Sequence, residues 1–153
     1  MRRLVVFVAL GLAAAACGGS TTSSTASAIG DVSDVHIFAA SVDAASGSGD
    51  VAQVVADLHN ASDAKDALVS VSCSCGGTAT LFEPGAGSPA TSIALPPQKV
   101  VLFGPRGARI ELSDLAQPLA VGSTVTLTFS FETATPTSAT AAVQAPGRPS
   151  PAT

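Results

Sequence analysis

The chain has 153 residues, a formal net charge of −4 at pH 7, and neither tryptophan nor tyrosine. Nucleic acid is excluded as a partner, because binding it requires basic side chains that neutralise phosphate and is aided by aromatic side chains that stack on bases. The length predicts one domain of ordinary size with its own core.

Residues 1–16 predict a secretory signal peptide. Arg2 and Arg3 make its start basic, and residues 4–16 are all apolar or small. A helix over residues 4–16 would reach only about 20 Å at its usual rise, whereas the hydrocarbon core of a bilayer is roughly 30 Å thick. The segment is therefore typical of a cleaved signal and too short for a permanent membrane span.

Cys17 follows this segment directly, in the run Ala14-Ala15-Ala16-Cys17, and is the predicted site of lipidation. The alternative is an exported protein without a lipid, cut after Ala16, in which Cys17 is an ordinary thiol. The chain has three cysteines, and acylation of Cys17 leaves an even pair, whereas an unpaired thiol in an exported protein would be reactive. Two acyl chains suffice for stable anchoring, so we expect a lipoprotein at the extracytoplasmic face of a membrane.

Cleavage before Cys17 would remove two of the seven basic residues and none of the eleven acidic ones, which leaves five against eleven and a net charge of −6. Residues 17–30 comprise the lipidated cysteine and a Gly/Ser/Thr-rich tether, a composition typical of flexible linkers. Residues 31–144 are the predicted folded domain. The proline-rich residues 145–153 are a predicted disordered tail.

The folded domain is predicted to be all β. Residues 124–132 are the clearest strand, because Val125, Leu127, Phe129 and Phe131 alternate with threonine and serine, and alternation of period two is the signature of a half-buried strand. The other predicted strands are residues 35–40, 51–59, 68–75, 78–82, 92–95, 99–103, 109–112 and 138–143. Eight or nine short strands separated by turn residues predict a β-sandwich or a Greek-key barrel.

The predicted strand 68–75 alternates strictly, so that Val69, Val71, Cys73 and Cys75 would share one face, with serines opposite. Both sulfurs would then point the same way. A disulfide is usual in an oxidising compartment, but Cα atoms two apart in a strand are about 6.6 Å apart, close to the upper limit for that bond. The two glycines that follow would let the strand bend and close the ring.

The alternatives to that disulfide are buried or free thiols, which act as small hydrophobic side chains, and a metal site. Two thiolates and an imidazole from His36 or His59 would hold Cu(I), or Zn²⁺ with a fourth ligand. Each histidine by itself is explained more simply. His36 is either solvent-facing or a hydrogen-bonded core residue, and His59 bonds the turn at the end of its strand.

Four residues with side-chain oxygens, Asn60, Ser62, Asp63 and Asp66, occupy one loop of the sequence. Oxygen ligands of this kind suit Ca²⁺, but their spacing matches no EF-hand. Short polar side chains in a loop usually bond the nearby backbone. We therefore interpret these residues as turn formers.

Several segments of the domain resemble the PCu(A)C-type periplasmic copper chaperones. The resemblance extends over roughly residues 51–143 and lies in hydrophobic pattern, turn placement and a Pro-Leu…Gly…Val-x-Leu-x-Phe run. The segments that carry it are residues 66–71, 93–97, 100–102, 109–115, 117–119, 122 and 125–129. This resemblance implies a cupredoxin-like β fold and an extracytoplasmic setting.

The metal ligands of that family do not carry over. Its His-x-Met motif would fall on Arg109 and Glu111 and its upstream histidine near Phe82. Its remaining methionine has no counterpart, because Met1, the one methionine of the chain, lies in the predicted signal peptide. Cu(I) prefers thioether, thiolate and imidazole ligands, whereas a guanidinium carries a fixed charge and no lone pair to donate. The resemblance therefore comes without the family's usual copper site.

Two functions follow from these patterns. The first is a lipid-anchored, non-catalytic binding or accessory module that recognises another envelope protein and needs no cofactor. The second is a copper chaperone that binds Cu(I) through Cys73 and Cys75. The first is favoured because the predicted mature chain has neither a methionine nor a His-x-Met motif. An enzyme is not expected, since no local signature such as G-x-S-x-G accompanies the two histidines.

Overall fold

The computed structural model describes residues 34–44 and 51–146. The predictions for the signal peptide 1–16, for Cys17 and the tether to residue 30, and for the tail beyond residue 146 lie outside the described residues. In the part that is described, no helix is long and apolar enough to cross a membrane.

Nine strands make up the secondary structure of the described residues, so the all-β prediction is confirmed. Each predicted segment coincides with one strand, with ends that differ by a few residues. The strands are β1 Val35–Asp43, β2 Ala52–Asn60, β3 Asp66–Cys73, β4 Thr78–Phe82, β5 Ile93–Leu95, β6 Lys99–Phe103, β7 Arg109–Ser113, β8 Thr124–Phe131 and β9 Thr137–Gln144.

All nine strands belong to one sheet, which curves into a nearly closed barrel. Its order is β4-β7-β2-β1-β9-β8-β3-β5, and β6 pairs with β2. Strand β2 is long enough to pair along one edge with β7, through residues 52–54, and with β6, through residues 56–60. The pairing of β1 with β9 is parallel, and the remaining pairings are antiparallel.

The inward positions of the strands form one hydrophobic core. Val54, Ala56 and Leu58 of β2 are fully buried, as are Leu127 and Phe129 of β8. These are the faces that the alternating pattern predicts for both strands. Burial of apolar area at about 25 cal/mol per Å² is what stabilises such a barrel against the entropy of the unfolded chain.

Strand β3 departs from the strict alternation that its sequence suggests. Leu68 pairs with Phe131, but Ser70 pairs with Ser130, so Val69 is an extra residue in a β-bulge. Leu68 is fully buried and Val69 is 39% exposed. The prediction that Val69 shares the inward face with Val71 is therefore wrong, because a bulge reverses the facing of the residues on one side of it.

The oxygen-rich loop between β2 and β3 is held by side-chain hydrogen bonds to the backbone. Asn60 is fully buried, and its Nδ2 donates to the carbonyl oxygens of Ala64, at 2.8 Å, and Leu95, at 2.9 Å. Its Oδ1 accepts from the backbone N–H of Ser62 at 3.0 Å. This turn chemistry agrees with the interpretation drawn from the sequence.

Asp66, at the start of β3, uses both carboxylate oxygens in a similar way. Oδ1 accepts from the backbone N–H groups of Ala67, at 2.7 Å, and Thr133, at 2.9 Å, and Oδ2 accepts from that of Ala134 at 2.9 Å. The carboxylate therefore fixes the turn after β8 against the beginning of β3.

Candidate functional site

The residues at the copper-ligand positions of the resembling family lie together at the paired ends of β4 and β7. Phe82 is directly opposite Arg109 in the antiparallel register, and Glu111 follows two residues along β7, on the same face. The Arg109 guanidinium carbon lies 4.8 Å from the centroid of the Phe82 ring. The three positions that the resemblance singles out are thus neighbours in space, and we call them the Arg109 cluster.

Arg109 is held in place by three contacts. Besides the cation–π contact with Phe82, its Nη2 donates to the carbonyl oxygen of Ala86 at 2.9 Å, and its Nη1 lies 3.8 Å from Oε1 of Glu111. About a third of each side chain is exposed, so the ion pair itself contributes little to stability. The donor set consists of a fixed cation, a hard carboxylate and a phenyl ring, none of which is a soft ligand.

Cys73 and Cys75 are joined by a disulfide at the junction of β3 and β4, with a Cα–Cα distance of 5.1 Å. The prediction that the strand continues to Cys75 is wrong, because β3 ends at Cys73 and the chain turns. This turn shortens the Cα–Cα distance below the about 6.6 Å of a flat strand. It is closed by a hydrogen bond from the N–H of Gly76 to the carbonyl oxygen of Cys73, at 3.1 Å.

The turn depends on a glycine. Gly77 has a φ of +90°, and a Cβ atom added there would lie 2.5 Å from the carbonyl oxygen of Ser113. No other residue would adopt this conformation without strain. The bend that the Gly-Gly sequence suggests is therefore present, and it leaves Cys73 and Cys75 partly exposed while they pack against the edge of the core.

The two histidines form a cross-strand pair on the outer face of the barrel. His36 of β1 is directly opposite His59 of β2, and their ring centroids are 6.4 Å apart with an interplanar angle of 29°. The ring of Phe38 lies 6.5 Å from His36 and 5.8 Å from His59. This pairing could not be predicted from the sequence, because it depends on a register that only the folded sheet defines.

The candidate ligands do not converge into one larger group. Among residues 34–44 and 51–146, no cluster of three or more histidine, cysteine or acidic side chains is placed to hold a metal ion. His36 and His59 are brought together with each other, and Cys73 with Cys75, but neither histidine completes a three-ligand site with the cysteine pair.

Comparison with known proteins gives one family and a set of related structures. Residues 31–143 match the family model described as lipoprotein LpqE-like. The apo PCuAC domain from PmoF1 is 30% identical with a TM-score of 0.68, over 76% of this chain and 98% of that domain. The copper-bound PCuAC domain from PmoF2 is 27% identical with a TM-score of 0.65, over 74% of this chain and 94% of that domain.

A third solved structure has a similar fold. The solution structure of apo-DR1885 from Deinococcus radiodurans is 20% identical, with a TM-score of 0.57 over 95% of both chains. At this level of identity, the match shows a common fold alone. No curated protein matches the chain significantly.

Proposed function

This chain belongs to the LpqE-like lipoprotein family, and from that premise we propose that it is a lipid-anchored, non-catalytic module that binds another envelope protein. It does so on the fold of the PCuAC copper-chaperone domains, to which it is related. In this proposal, Cys17 carries the lipid and the domain works at the extracytoplasmic face of the membrane. It holds no Cu(I) at the positions that the related family uses.

The Arg109 cluster is the observation that carries this proposal. The Arg109 guanidinium packs on the face of the Phe82 ring and donates a hydrogen bond to the carbonyl oxygen of Ala86. It lies where the resemblance would place a copper ligand. Bringing a cation to this position would add repulsion from the guanidinium and offer no thioether or imidazole in return. The contacts favour a structural role for the cluster.

The outer face of β1, β2 and β6 supports a binding role. Phe38, Val100 and Leu102 are 68%, 50% and 54% exposed. Val100 is directly opposite His59, and Leu102 is opposite Asp57, so β6 presents both apolar side chains beside β2. Adjacent exposed apolar side chains on one sheet face are characteristic of surfaces that contact other proteins.

The second candidate function is a Cu(I) chaperone that uses Cys73 and Cys75. The close approach of the two sulfurs at a partly exposed turn favours it. It requires reduction, because two thiolates bind Cu(I) and a disulfide does not.

Competition against a chromophoric Cu(I) chelator tests both functions. We expect the purified protein, oxidised and in detergent, to leave the chelator fully loaded. The Cys73→Ser, Cys75→Ser double variant should do the same after reduction. One-to-one withdrawal of Cu(I) by the reduced protein that is lost in the double variant would establish the second function instead. Withdrawal by the double variant that persists when His36 and His59 are also replaced by glutamine would contradict both.

A further inference from the structure

We infer that His36 and His59 form a two-imidazole site for a divalent first-row transition-metal ion, and that Cu²⁺ binds there most tightly. The inference does not rest on the proposed function, because it requires neither the Arg109 cluster on β4 and β7 nor a protein partner, although the two histidines share the outer face of β1 and β2 with the exposed apolar side chains named above. It concerns a borderline divalent ion, whereas the proposed function concerns soft Cu(I).

The two imidazole rings lie close enough to share one metal ion. Directly opposed residues in an antiparallel pair have Cβ atoms about 4.5–5.5 Å apart and project to the same face. His36 and His59 are opposed in this way, and their ring centroids are 6.4 Å apart. With metal–nitrogen bonds of about 2.0–2.1 Å, one ion bridges two imidazoles whose centroids are about 5–6 Å apart. Side-chain rotation of the exposed His36 supplies the remaining approach.

The two imidazole rings are not engaged in other polar side-chain contacts with the residues that the structure describes. Within the described part of the chain, neither ring makes a side-chain hydrogen bond or an ion pair. A ring nitrogen of each is therefore available to a ligand without the loss of an existing partner. Metal-binding histidines need such a free, unprotonated nitrogen.

The residues around the two histidines leave the site open on one side. Phe38 packs beside both rings and closes one side. His36 and Phe38 also line a shallow depression with Ser138 and Ala139 of β9, which leaves room for other ligands. Two protein ligands leave coordination positions open to water or to a donor from a second molecule, which is the arrangement of an exchangeable site rather than a closed structural one.

The choice of metal follows from donor chemistry. Imidazole nitrogen suits copper, nickel and zinc, and among divalent ions of the first row the affinity of a given site rises to Cu²⁺ and falls at Zn²⁺. Asp57 lies two residues before His59 on the same face of β2 and carries the nearest carboxylate along that strand. Its carboxylate is therefore the competing ligand to test.

Titration with CuCl₂, followed by electron paramagnetic resonance and visible absorption, tests the inference on the purified, oxidised protein in detergent. We expect one Cu²⁺ per chain with two nitrogen ligands, and affinity weaker by about tenfold or more in His36→Gln and in His59→Gln. Asp57→Asn and the Cys73→Ser, Cys75→Ser double variant are controls that should keep the site. Circular dichroism verifies that each variant is folded.

Three results would overturn the inference. The first is the absence of one-to-one binding to the wild type. The second is binding that neither histidine substitution weakens. The third is a spectrum without nitrogen coupling, because that would place the ion on oxygen ligands elsewhere.

Discussion

Asn60 shows how much of this fold rests on single polar side chains. It is fully buried, and it joins the end of β2 to the carbonyl oxygen of Leu95 in β5 while holding the loop that leads into β3. A buried amide is tolerated when its donors and acceptor all find partners, as they do here. Its loss leaves the carbonyl oxygen of Leu95 without its donor in the buried part of the protein.

We predict that Asn60→Ala lowers the free energy of unfolding by about 1–3 kcal/mol, because the buried carbonyl of Leu95 loses its donor. Ser123→Ala is the control, since the Ser123 hydroxyl donates to the carbonyl oxygen of Ala120 in an exposed turn that does not involve Asn60, and it should cost less than about 1 kcal/mol. Urea denaturation measures both. Similar losses for the two variants would show that the buried amide has no special role.

The Arg109 cluster shows what a resemblance in sequence can and cannot indicate about single residues. Phe82, Arg109 and Glu111 were singled out by their match to ligand positions, and the β4–β7 register places them side by side. Their contacts with one another could not be predicted, because a cation–π contact depends on side-chain conformation and not on spacing. The His36–His59 pair was missed for a related reason, since pairing partners are set by the whole sheet.

At the scale of elements, period-two alternation and turn residues were enough to place all nine strands. Alternation is a local property, so it reports which segments are strands and which side chains face inward. A bulge breaks this rule without changing the local composition. Both bulged strands illustrate this, because neither the shift between Ile37 and Ala39 in β1 nor that between Leu68 and Ser70 in β3 is visible in the sequence.

The bulge in β3 gives a prediction that opposes the simple alternating pattern. Leu68→Ala should lower the free energy of unfolding by about 2–5 kcal/mol, because it removes a fully buried side chain and leaves a cavity. Val69→Ala should cost less than about 1 kcal/mol, because Val69 faces solvent. Chemical denaturation of the two variants decides between the alternatives. A larger loss for Val69→Ala would mean that β3 is regular and Leu68 faces outward.

At the scale of the whole molecule, we propose that a signal peptide, a lipid and a tether determine where the domain works. Residues 31–143 match a lipoprotein family, in agreement with the apolar segment that ends at Cys17. A single lipidated cysteine followed by a Gly/Ser/Thr-rich tether would hold the barrel close to the membrane while leaving its outer faces accessible.

We predict that Cys17→Ser abolishes incorporation of radiolabelled fatty acid and moves the protein from the membrane fraction to the soluble fraction, because the acylated sulfur is removed. Cys73→Ser is the control and should remain labelled. A Cys17→Ser variant that is still labelled and still sediments with membranes would show that the anchor lies elsewhere.

For the whole molecule, we propose that the domain keeps the copper-chaperone fold and carries the Arg109 cluster at the positions of soft ligands. Restoring the two imidazoles and the thioether at the matched positions should therefore restore Cu(I) binding, even though the family's remaining methionine stays absent. The register supports this design, because Phe82 and Arg109 are directly opposed and Glu111 lies on the same face of β7.

The decisive measurement is the Cu(I) affinity of the oxidised wild type against that of the Phe82→His, Arg109→His, Glu111→Met triple variant, by competition with a chromophoric chelator. We expect no withdrawal of Cu(I) by the wild type. We expect one-to-one binding by the triple variant, tighter by about a hundredfold or more, because two imidazoles and a thioether replace groups without a soft lone pair. Equal, tight binding by the wild type and the variant would contradict the proposal.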